Sequence, residues 1–570
     1  MIEAQKKING WCDVLSEKVN TVGISGGTAE KIVALAKDAR ERNLVVPVVG
    51  SFSAGKSSMI NSLLGENVLT VDIRPETSLA TELYNSPNAF IEAVRSNDGG
   101  IDKYKVEEID RVKENAAKYQ YARLYLNNER LREIQPLVLV DMPGFDSPLD
   151  LHNKAIMTYL ERGCFYIVLS SVEEGTISKS LERKLKEIEG WGREFAFFLS
   201  KANLRPKESL DQLTAHFQEQ IDDTFESPAK VVPLETNSGD KVLQCLKNIN
   251  INRVFGSIYR DNLLDLCDDI ISAINLQINA SKKDAAKISE AIKEMEAGIE
   301  KLNKKASEEQ EEMRRRYSGS LVSEVIADVG KALDGALEEL VGVTASGNQE
   351  EIKRTLNDIV RSALSVSFLE KMEGLTKEIS VDFSKSLDGL DKVMKDIDLN
   401  ENFLKEITGK VNVLQGELLS KIPGGKDALN IGFKGLAGAG LAMTAINPII
   451  GIVVMLLPEI IGGLMKLFGG DTKDTQKEKI RSEFSGRIFP EIKRELRAKI
   501  PEQIEGQIEQ MIKAVGEKYK EQIEKQSEII KTQMAEKSGN KEEAEAKQKQ
   551  LEAVRADVQN ITGEIRAWGK

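Results

Sequence analysis

The sequence contains a glycine-rich run whose residue types and spacing suit phosphate binding, Gly50-Ser51-Phe52-Ser53-Ala54-Gly55-Lys56-Ser57, with Ser58 after it. Glycines let the backbone turn so that successive N–H groups point at phosphate oxygens. The Lys56 ammonium can neutralise the β and γ oxygens, and the Ser57 hydroxyl can bind Mg²⁺. We therefore predict that Gly50 to Ser58 bind a nucleotide, with Ser57 as a metal ligand.

The run stands between two segments whose apolar residues follow different patterns. Residues 44–49 are apolar and largely β-branched, as in a buried parallel strand, whereas residues 58–64 have helical periodicity. Strand, glycine loop and helix is the order that a phosphate-binding loop requires. The alternative is a glycine-rich turn without a ligand.

A second polar motif follows another apolar run, residues 137–140. Asp141 ends this run and Gly144 follows three positions later. A carboxylate at the end of a strand beside a phosphate loop can hold Mg²⁺ through water. A glycine N–H can approach the γ-phosphate more closely than that of a residue with a side chain. Asp141 is thus a second candidate metal ligand, and Gly144 a candidate nucleotide contact.

A threonine between the two motifs is a third candidate ligand. Thr77 follows Arg74-Pro75-Glu76, and its hydroxyl on a mobile loop could complete the Mg²⁺ shell. Thr81 competes for this role. A plain polar turn is the alternative interpretation of the segment.

Taken together, the G-x-x-S-x-G-K-S-S loop, the P-x-T segment and the D-x-P-G motif resemble the dynamin-like large GTPases, especially bacterial ones of the LeoA type. The resemblance implies GTP as substrate and Mg²⁺ as cofactor. It assigns catalytic roles to Ser53, which would position the attacking water, to Lys56, and to Thr77 in the first switch. Asp141 and Gly144 would form the second switch. The motifs cover one domain, and the rest of the chain resembles the family only in architecture.

Two positions depart from the family pattern. Phe52 stands where eukaryotic members often have glutamine, so slow intrinsic hydrolysis is expected. The base-reading motif reads Ser200-Lys201-Ala202-Asn203. Lys201 could lie along the base, but the Asn203 amide offers one acceptor and one donor group instead of a carboxylate that accepts from both guanine N–H groups. The choice between GTP and ATP therefore stays open. Asn237, in a later loop, is a weaker candidate base contact.

Composition narrows the class of protein. A chain of 570 residues suggests three or four structural units. The four cysteines form no short motif, which argues against a disulfide framework or a zinc site. A net charge of −12 argues against nucleic acid as a partner. The first residues lack an apolar stretch typical of a signal peptide, so a cytoplasmic location is expected.

After about residue 255 the sequence changes to long helical patterns. Apolar residues from Ile271 to Leu302 recur in steps of three and four, which predicts one helix about 45 Å long. Further seams run through residues 504–515 and 551–568. These apolar seams would all be buried in an antiparallel bundle whose helices lead away from the GTPase domain (the G domain) and then return to it. The alternative is a set of ordinary amphipathic helices in a compact domain. Residues 2–40 are predicted to pack with the last helix as a neck.

The turning point of this bundle is predicted at residues 435–458, 24 residues without a charge. The Asn447-Pro448 pair at their centre favours a turn. Each arm is about 18 Å long as a helix, too short to span a bilayer but long enough to enter one leaflet. Flanking lysines could meet anionic lipid head groups. The alternative is an apolar hairpin buried in the bundle or in an interface.

These observations predict an α/β domain, with a mainly parallel sheet flanked by helices, on a long all-α stalk with an apolar hairpin tip. The expected segments are a neck helix (1–40), the GTPase domain (41–250), the outgoing stalk (251–425), the tip (426–470) and the returning stalk (471–570). The resemblance implies a GTPase that remodels membranes, binds lipid peripherally through residues 435–458, and assembles with identical copies or a paralogue. The alternatives are an NTPase of relaxed or ATP specificity, and a pore-forming or tethering protein with a degenerate phosphate loop.

Overall fold

The computed structural model describes residues 2–24, 27–69, 79–143, 159, 162–190, 193–226, 229–308, 310–413, 460, 464, 473–536 and 541–568. Within these ranges the chain forms one β-sheet with flanking helices, followed by long helices that pack on one another. Both parts of the predicted fold class are confirmed. The predicted hairpin at 435–458 lies outside the described residues.

The sheet has nine strands in the order β4-β3-β5-β2-β6-β1-β7-β8-β9. From β6 to β9 every neighbouring pair is parallel, whereas β2 runs antiparallel to β6 and β3 is antiparallel to both of its neighbours. The strands are β1 (Leu44–Gly50), β2 (Thr81–Asn85), β3 (Phe90–Arg95), β4 (Ile101–Tyr104), β5 (Tyr119–Leu126), β6 (Leu137–Asp141), β7 (Phe165–Ser171), β8 (Glu194–Ser200) and β9 (Val231–Pro233).

The centre of the sheet aligns the ends of three strands. Every residue of β1 and β6 is buried, as expected for strands covered on both faces. Val48 is opposite Asp141 in β6, and Gly50 is opposite Leu169 in β7. Because the strands are parallel, the loops that follow β1, β6 and β7 leave from the same edge.

Helices α1 (Glu3–Val22) and α2 (Thr28–Glu41) precede the sheet. Six more accompany its strands: α3 (Lys56–Leu64), α4 (Ile109–Glu114), α5 (Glu129–Glu133), α6 (Lys179–Gly190), α7 (Lys207–Thr224) and α8 (Gly239–Lys247). Helix α6 connects β7 to β8, and α7 connects β8 to β9, so each provides the crossover that a parallel pair needs. On α7, Phe217 and Ile221 are buried one turn apart.

Helices form most of the rest of the described chain: α9 (Ile251–Lys282), α10 (Ala285–Glu308), α11 (Gln310–Gly335), α12 (Leu337–Ala345), α13 (Gln349–Lys385), α14 (Asp388–Asp396), α15 (Phe403–Val413), α16 (Lys473–Glu483), α17 (Phe489–Glu536) and α18 (Lys541–Ala567). Helix α17 packs against α9, α10, α11 and α13. Its predicted seam of Ile504, Ile508, Met511 and Val515 is at most 1% exposed. Burial of such a seam stabilises a long helix more than its intrinsic propensity does.

The prediction of a single helix from Ile271 to Leu302 is wrong. Helix α9 ends at Lys282, Lys283 is extended, and α10 starts at Ala285. The Asp284 carboxylate accepts a hydrogen bond from the Lys287 N–H at 2.9 Å. Such a local bond satisfies an N–H at a helix start, so it favours a new helix at this point. The apolar periodicity continues across the break, which is why the sequence pattern did not reveal it.

The amino-terminal helices pack beside the carboxyl-terminal one. Helix α1 contacts α2, α9 and α18. The rings of Trp11 and Trp568 meet edge to face with centroids 5.4 Å apart, and Trp11 Nε1 donates to Glu564 at 2.9 Å. The predicted neck packing is therefore present, while the limits of the domains stay a prediction.

None of the helices that the structure describes combines the length and the apolar character needed to cross a lipid bilayer.

Candidate nucleotide-binding site

The phosphate loop leaves the end of β1 where the backbone is closely packed. A Cβ atom on Gly50 would lie 2.2 Å from the carbonyl oxygen of Leu169 in β7, so glycine is required for this close approach. Gly55 has a φ of 82°, a left-handed conformation that glycine adopts without strain. The chain then enters α3, whose N-terminal N–H groups and dipole favour a bound anion.

The Lys56 side chain lies across this loop. Lys56 is only 6% exposed, and its ammonium donates to the carbonyl oxygens of Gly50 at 3.2 Å and Ser51 at 2.9 Å. A buried ammonium at the start of a helix places positive charge where phosphate oxygens would bind.

Ser57 and Asp141 meet beside the loop. The Ser57 hydroxyl donates to Asp141 Oδ2 at 2.8 Å. Asp141 is fully buried, and its Oδ1 has no hydrogen-bond partner. Burial raises the pKa of Asp141, and the nearby Lys56 charge opposes that rise. A hydroxyl and a carboxylate with an unused buried oxygen are the oxygen donors that Mg²⁺ prefers, so these residues fit the cation.

We expect Asp141→Asn to separate metal dependence from stability. If Asp141 is a Mg²⁺ ligand, loss of its carboxylate should lower the gain in GTP affinity on adding Mg²⁺ about tenfold or more. Removal of a buried charge should leave the melting temperature of the metal-free protein unchanged or raised. Titration of fluorescent GTP with excess Mg²⁺ and with EDTA measures the first effect. Asp211→Asn, on the exposed face of α7, is the control, and an unchanged Mg²⁺ effect in Asp141→Asn would contradict the assignment.

The base-reading segment and the later loop come together at the ends of β8 and β9. The Ala202 N–H donates to the Leu234 carbonyl at 3.0 Å, and the Thr236 hydroxyl donates to Asn203 Oδ1 at 3.1 Å. Asn237 is exposed in the same loop. Lys201 has a φ of 59°, in the left-handed region. The structure thus brings Lys201, Asn203 and Asn237 into one cluster.

Gly239 ties this cluster to the phosphate loop. Its N–H donates to the Ser62 hydroxyl on α3 at 3.0 Å. A Cβ atom on Gly239 would lie 2.3 Å from the Leu63 nitrogen, so a larger residue would push α8 away from α3. The two predicted halves of the nucleotide site therefore have a fixed relative position.

Two glutamates after β7 also contact the candidate site, and the sequence analysis missed them. Glu174 accepts from the Ser51 hydroxyl at 2.5 Å and from the Ser170 hydroxyl at 2.7 Å. Glu173 forms an ion pair with Lys201, whose ammonium also donates a hydrogen bond to the Glu173 carboxylate. This hydrogen bond and the positive charge of Lys201 lower the pKa of Glu173. The sequence signal that could have identified them is their position directly after the apolar run that forms β7, the strand beside β1.

The other predicted site residues are exposed, outside the described residues, or buried in a strand. Ser53 and Ser58 are exposed, Ser53 in a short 3-10 turn and Ser58 on α3. Thr77 and Gly144 lie outside the described residues. Thr81, the competitor of Thr77, is 2% exposed in β2, opposite Asp141.

Comparison with known proteins finds a family match over part of the chain. Residues 46–202 match the sequence profile described as the Dynamin family, a range that starts in β1 and ends within the base-reading segment. This part of the chain is similar to the Dynamin family. The narrower likeness to the LeoA type stays a prediction.

Similar proteins include two bacterial relatives. The chain is 25% identical over 244 residues to an uncharacterised protein in the xynA 3′ region of Caldicellulosiruptor sp. (strain Rt8B.4), over 40% of this chain and 58% of that protein. It is 25% identical over 147 residues to dynamin-like protein A of Bacillus subtilis (strain 168), over 25% of this chain and 12% of that protein. The matched part of the chain thus spans less than two thirds of either relative.

Among solved structures, a chain from an oligomerised bacterial dynamin pair described as sensing and tethering membranes matches with a TM-score of 0.34. The match has 12% identity and covers 98% of this chain and 95% of that one.

Proposed function

We propose that this protein is a dynamin-like GTPase that binds GTP with Mg²⁺, hydrolyses it, and couples hydrolysis to membrane binding and remodelling. The observation that carries the nucleotide half is the contact between Ser57 and Asp141, with a buried carboxylate oxygen left unpartnered beside Lys56. This is the donor set that a metal-bound triphosphate needs.

In the proposed reaction, water attacks the γ-phosphorus of GTP, the bond from that phosphorus to the β–γ bridging oxygen breaks, and GDP and inorganic phosphate are released. The N–H groups of the phosphate loop and the Lys56 ammonium would hold the phosphate oxygens and stabilise charge that develops during transfer. Ser57 and Asp141 would hold Mg²⁺, which when bound would neutralise part of the phosphate charge. Ser53, exposed at the mouth of the loop, is proposed to orient the attacking water. Thr77 and Gly144 are proposed to complete the two switches.

Binding of fluorescent GTP and ATP to the purified chain, with phosphate release measured in parallel, tests this function. GTP binding that depends on Mg²⁺ is the expected result. If neither nucleotide binds, the assignment is wrong. A preference for ATP would instead support the second candidate, an NTPase of altered specificity, which is motivated by the Asn203 amide beside Thr236.

We expect Asn203→Asp to raise the preference for GTP over ATP by about tenfold or more, since a hydrogen bond to a charged group contributes about 1.5–3 kcal/mol. The new carboxylate could accept from both guanine donors. The ratio of dissociation constants for the two nucleotides measures the effect. Asn88→Asp, an exposed change in the turn between β2 and β3, serves as a matched control. An unaltered ratio would remove this segment from the base site.

The membrane half of the proposal relies on residues 435–458 and on the match of residues 46–202 to the Dynamin family. We propose that this segment binds lipid peripherally from the cytoplasm, and that identical copies or a paralogue assemble on the membrane. The rival is a pore-forming protein in which the phosphate loop has no function. Leakage of liposomes by the chain without nucleotide would favour that rival, whereas liposome tubulation that depends on GTP would support remodelling.

A further inference from the structure

Glu174 connects the phosphate loop to the neighbouring strand. Its Oε1 accepts from the Ser51 hydroxyl at 2.5 Å, and its Oε2 accepts from the Ser170 hydroxyl at 2.7 Å. Ser170 is fully buried near the end of β7. One carboxylate therefore uses both of its oxygens to hold the second residue of the phosphate loop against a buried strand.

The residue that Glu174 holds also contacts the Lys56 ammonium. The Ser51 carbonyl accepts from Lys56 Nζ at 2.9 Å, so the position of Ser51 helps to set where this ammonium lies. A hydrogen bond from a hydroxyl to an ionised carboxylate is stronger than one between neutral groups. Loss of the Glu174 carboxylate would therefore leave both Ser51 and Lys56 less firmly placed.

Glu173, the preceding residue, contacts the base-reading segment. Its carboxylate pairs with the Lys201 ammonium, and its backbone N–H donates to the Ser171 hydroxyl at 3.2 Å. The Lys201 and Glu173 side chains are 34% and 56% exposed, so water weakens this pair. The pair still gives the long Lys201 side chain a preferred position.

The backbone explains why two adjacent glutamates reach different parts of the site. Strand β7 lies between β1 and β8 in the sheet. The Val172 N–H donates to the Ser200 carbonyl at the end of β8 at 3.1 Å, and the Glu174 N–H donates to the Ser171 carbonyl at 3.0 Å. This anchored turn places Glu174 beside the loop that follows β1 and Glu173 beside the loop that follows β8.

We propose that Glu173 and Glu174 are positioning residues of the nucleotide site. Glu174 orders the phosphate loop through Ser51, and Glu173 orders the base-reading segment through Lys201. These roles rest on the nucleotide binding proposed above. Because the two glutamates act through different contacts, their loss should affect the binding of different parts of the nucleotide.

GTP and inorganic tripolyphosphate separate the two roles, because tripolyphosphate has the phosphate chain of GTP and lacks the base. Titration of the full-length chain with fluorescent GTP in excess Mg²⁺ measures the first affinity, and displacement of that GTP by tripolyphosphate measures the second at the same site. Glu174→Ala should weaken both ligands about tenfold, since both need the phosphate loop. Glu173→Ala should weaken GTP about threefold, as expected for an exposed ion pair, and leave tripolyphosphate unchanged. Glu219→Ala, at an exposed position on α7, is the control and should change neither.

Glu174→Gln tests whether the hydrogen bonds or the charge of Glu174 are needed. The glutamine amide has one acceptor and one donor group, and a serine hydroxyl serves as either, so the contacts to Ser51 and Ser170 can both be kept. This variant should bind tripolyphosphate at least as tightly as wild type, because it also removes a negative charge near bound phosphate.

Ser51→Ala removes the same contact from the other side, so the test stands even if Glu174→Ala does not fold. Ser51→Ala should weaken both ligands as Glu174→Ala does. The double variant Ser51→Ala, Glu174→Ala should lose little more than Glu174→Ala alone, because changes that remove one shared contact are not additive.

The outcomes separate these roles from the proposed function. Equal losses for both ligands in Glu173→Ala would overturn its action through Lys201. Unchanged tripolyphosphate binding in Ser51→Ala and Glu174→Ala, additive losses in the double variant, or a Glu174→Gln variant as weak as Glu174→Ala would overturn the role of Glu174. If wild type binds both ligands and no variant differs, the positioning roles are wrong and the proposed function stands. If wild type binds neither ligand, both proposals fail.

Discussion

The Lys56→Ala variant is expected to lose about 100-fold in GTP affinity, or all measurable hydrolysis, because an ammonium bonded to phosphate contributes about 1.5–3 kcal/mol and also stabilises charge in the transition state. In the structure this ammonium is held over the phosphate loop by the carbonyls of Gly50 and Ser51. Fluorescent GTP titration and phosphate release measure the two losses.

The same variant should keep its fold. Two hydrogen bonds to loop carbonyls are lost, each with a net contribution of about 1 kcal/mol, and the apolar core beneath the sheet is untouched. Helical content by circular dichroism should therefore match wild type, with a melting temperature only slightly lower. Lys118→Ala, at an exposed position before β5, provides the matched control. Wild-type turnover in Lys56→Ala would contradict the enzyme assignment.

The combined change Ile450→Asp and Leu456→Asp should abolish sedimentation with anionic liposomes. If residues 435–458 enter the bilayer, each new carboxylate costs about 2.5–3.5 kcal/mol near the centre of a lipid-embedded helix. Together the two carboxylates should lower the membrane affinity by more than about 1,000-fold. GTP binding should be unchanged, because the nucleotide site contains neither residue.

A thermal melt distinguishes this result from the alternative of a buried soluble hairpin. Preserved melting with lost liposome binding supports lipid contact, whereas a large fall in melting temperature supports a packed core. Val33→Asp with Val381→Asp adds the same charge at positions that are 62% and 46% exposed and should change neither property. Retained liposome binding by a folded Ile450→Asp, Leu456→Asp variant would move the membrane contact elsewhere.

Much of the sheet domain was predictable because its signals are local. The apolar runs at 44–49 and 137–140 form β1 and β6, and the residues after them leave the same edge of the sheet. Parallel pairing makes that result general, so Ser57 and Asp141 could be assigned to one site from sequence alone. Their 2.8 Å contact agrees with that expectation.

The helical region was predictable in type and less so in detail. Apolar spacing indicated the buried faces of α17 and α18, and the helix-forming sequence of residues 2–40 suggested that they pack with the last helix. It did not indicate the break at Lys283, because Asp284 caps a new helix without interrupting the apolar series. The spacing of apolar residues indicates which face of a helix is buried, but it carries little information about where the helix ends.

The sequence by itself determined the phosphate loop, its strand and helix, the aspartate opposite the loop, and the change to long amphipathic helices. Each follows from residue types within a few positions of one another. Only the tertiary structure decided that Glu174 bonds Ser51, and that Lys184 is buried against Asp358, 174 positions away. A lone glutamate or lysine has the same local pattern whether it is solvated or paired, because its partner comes from another element that packing brings close.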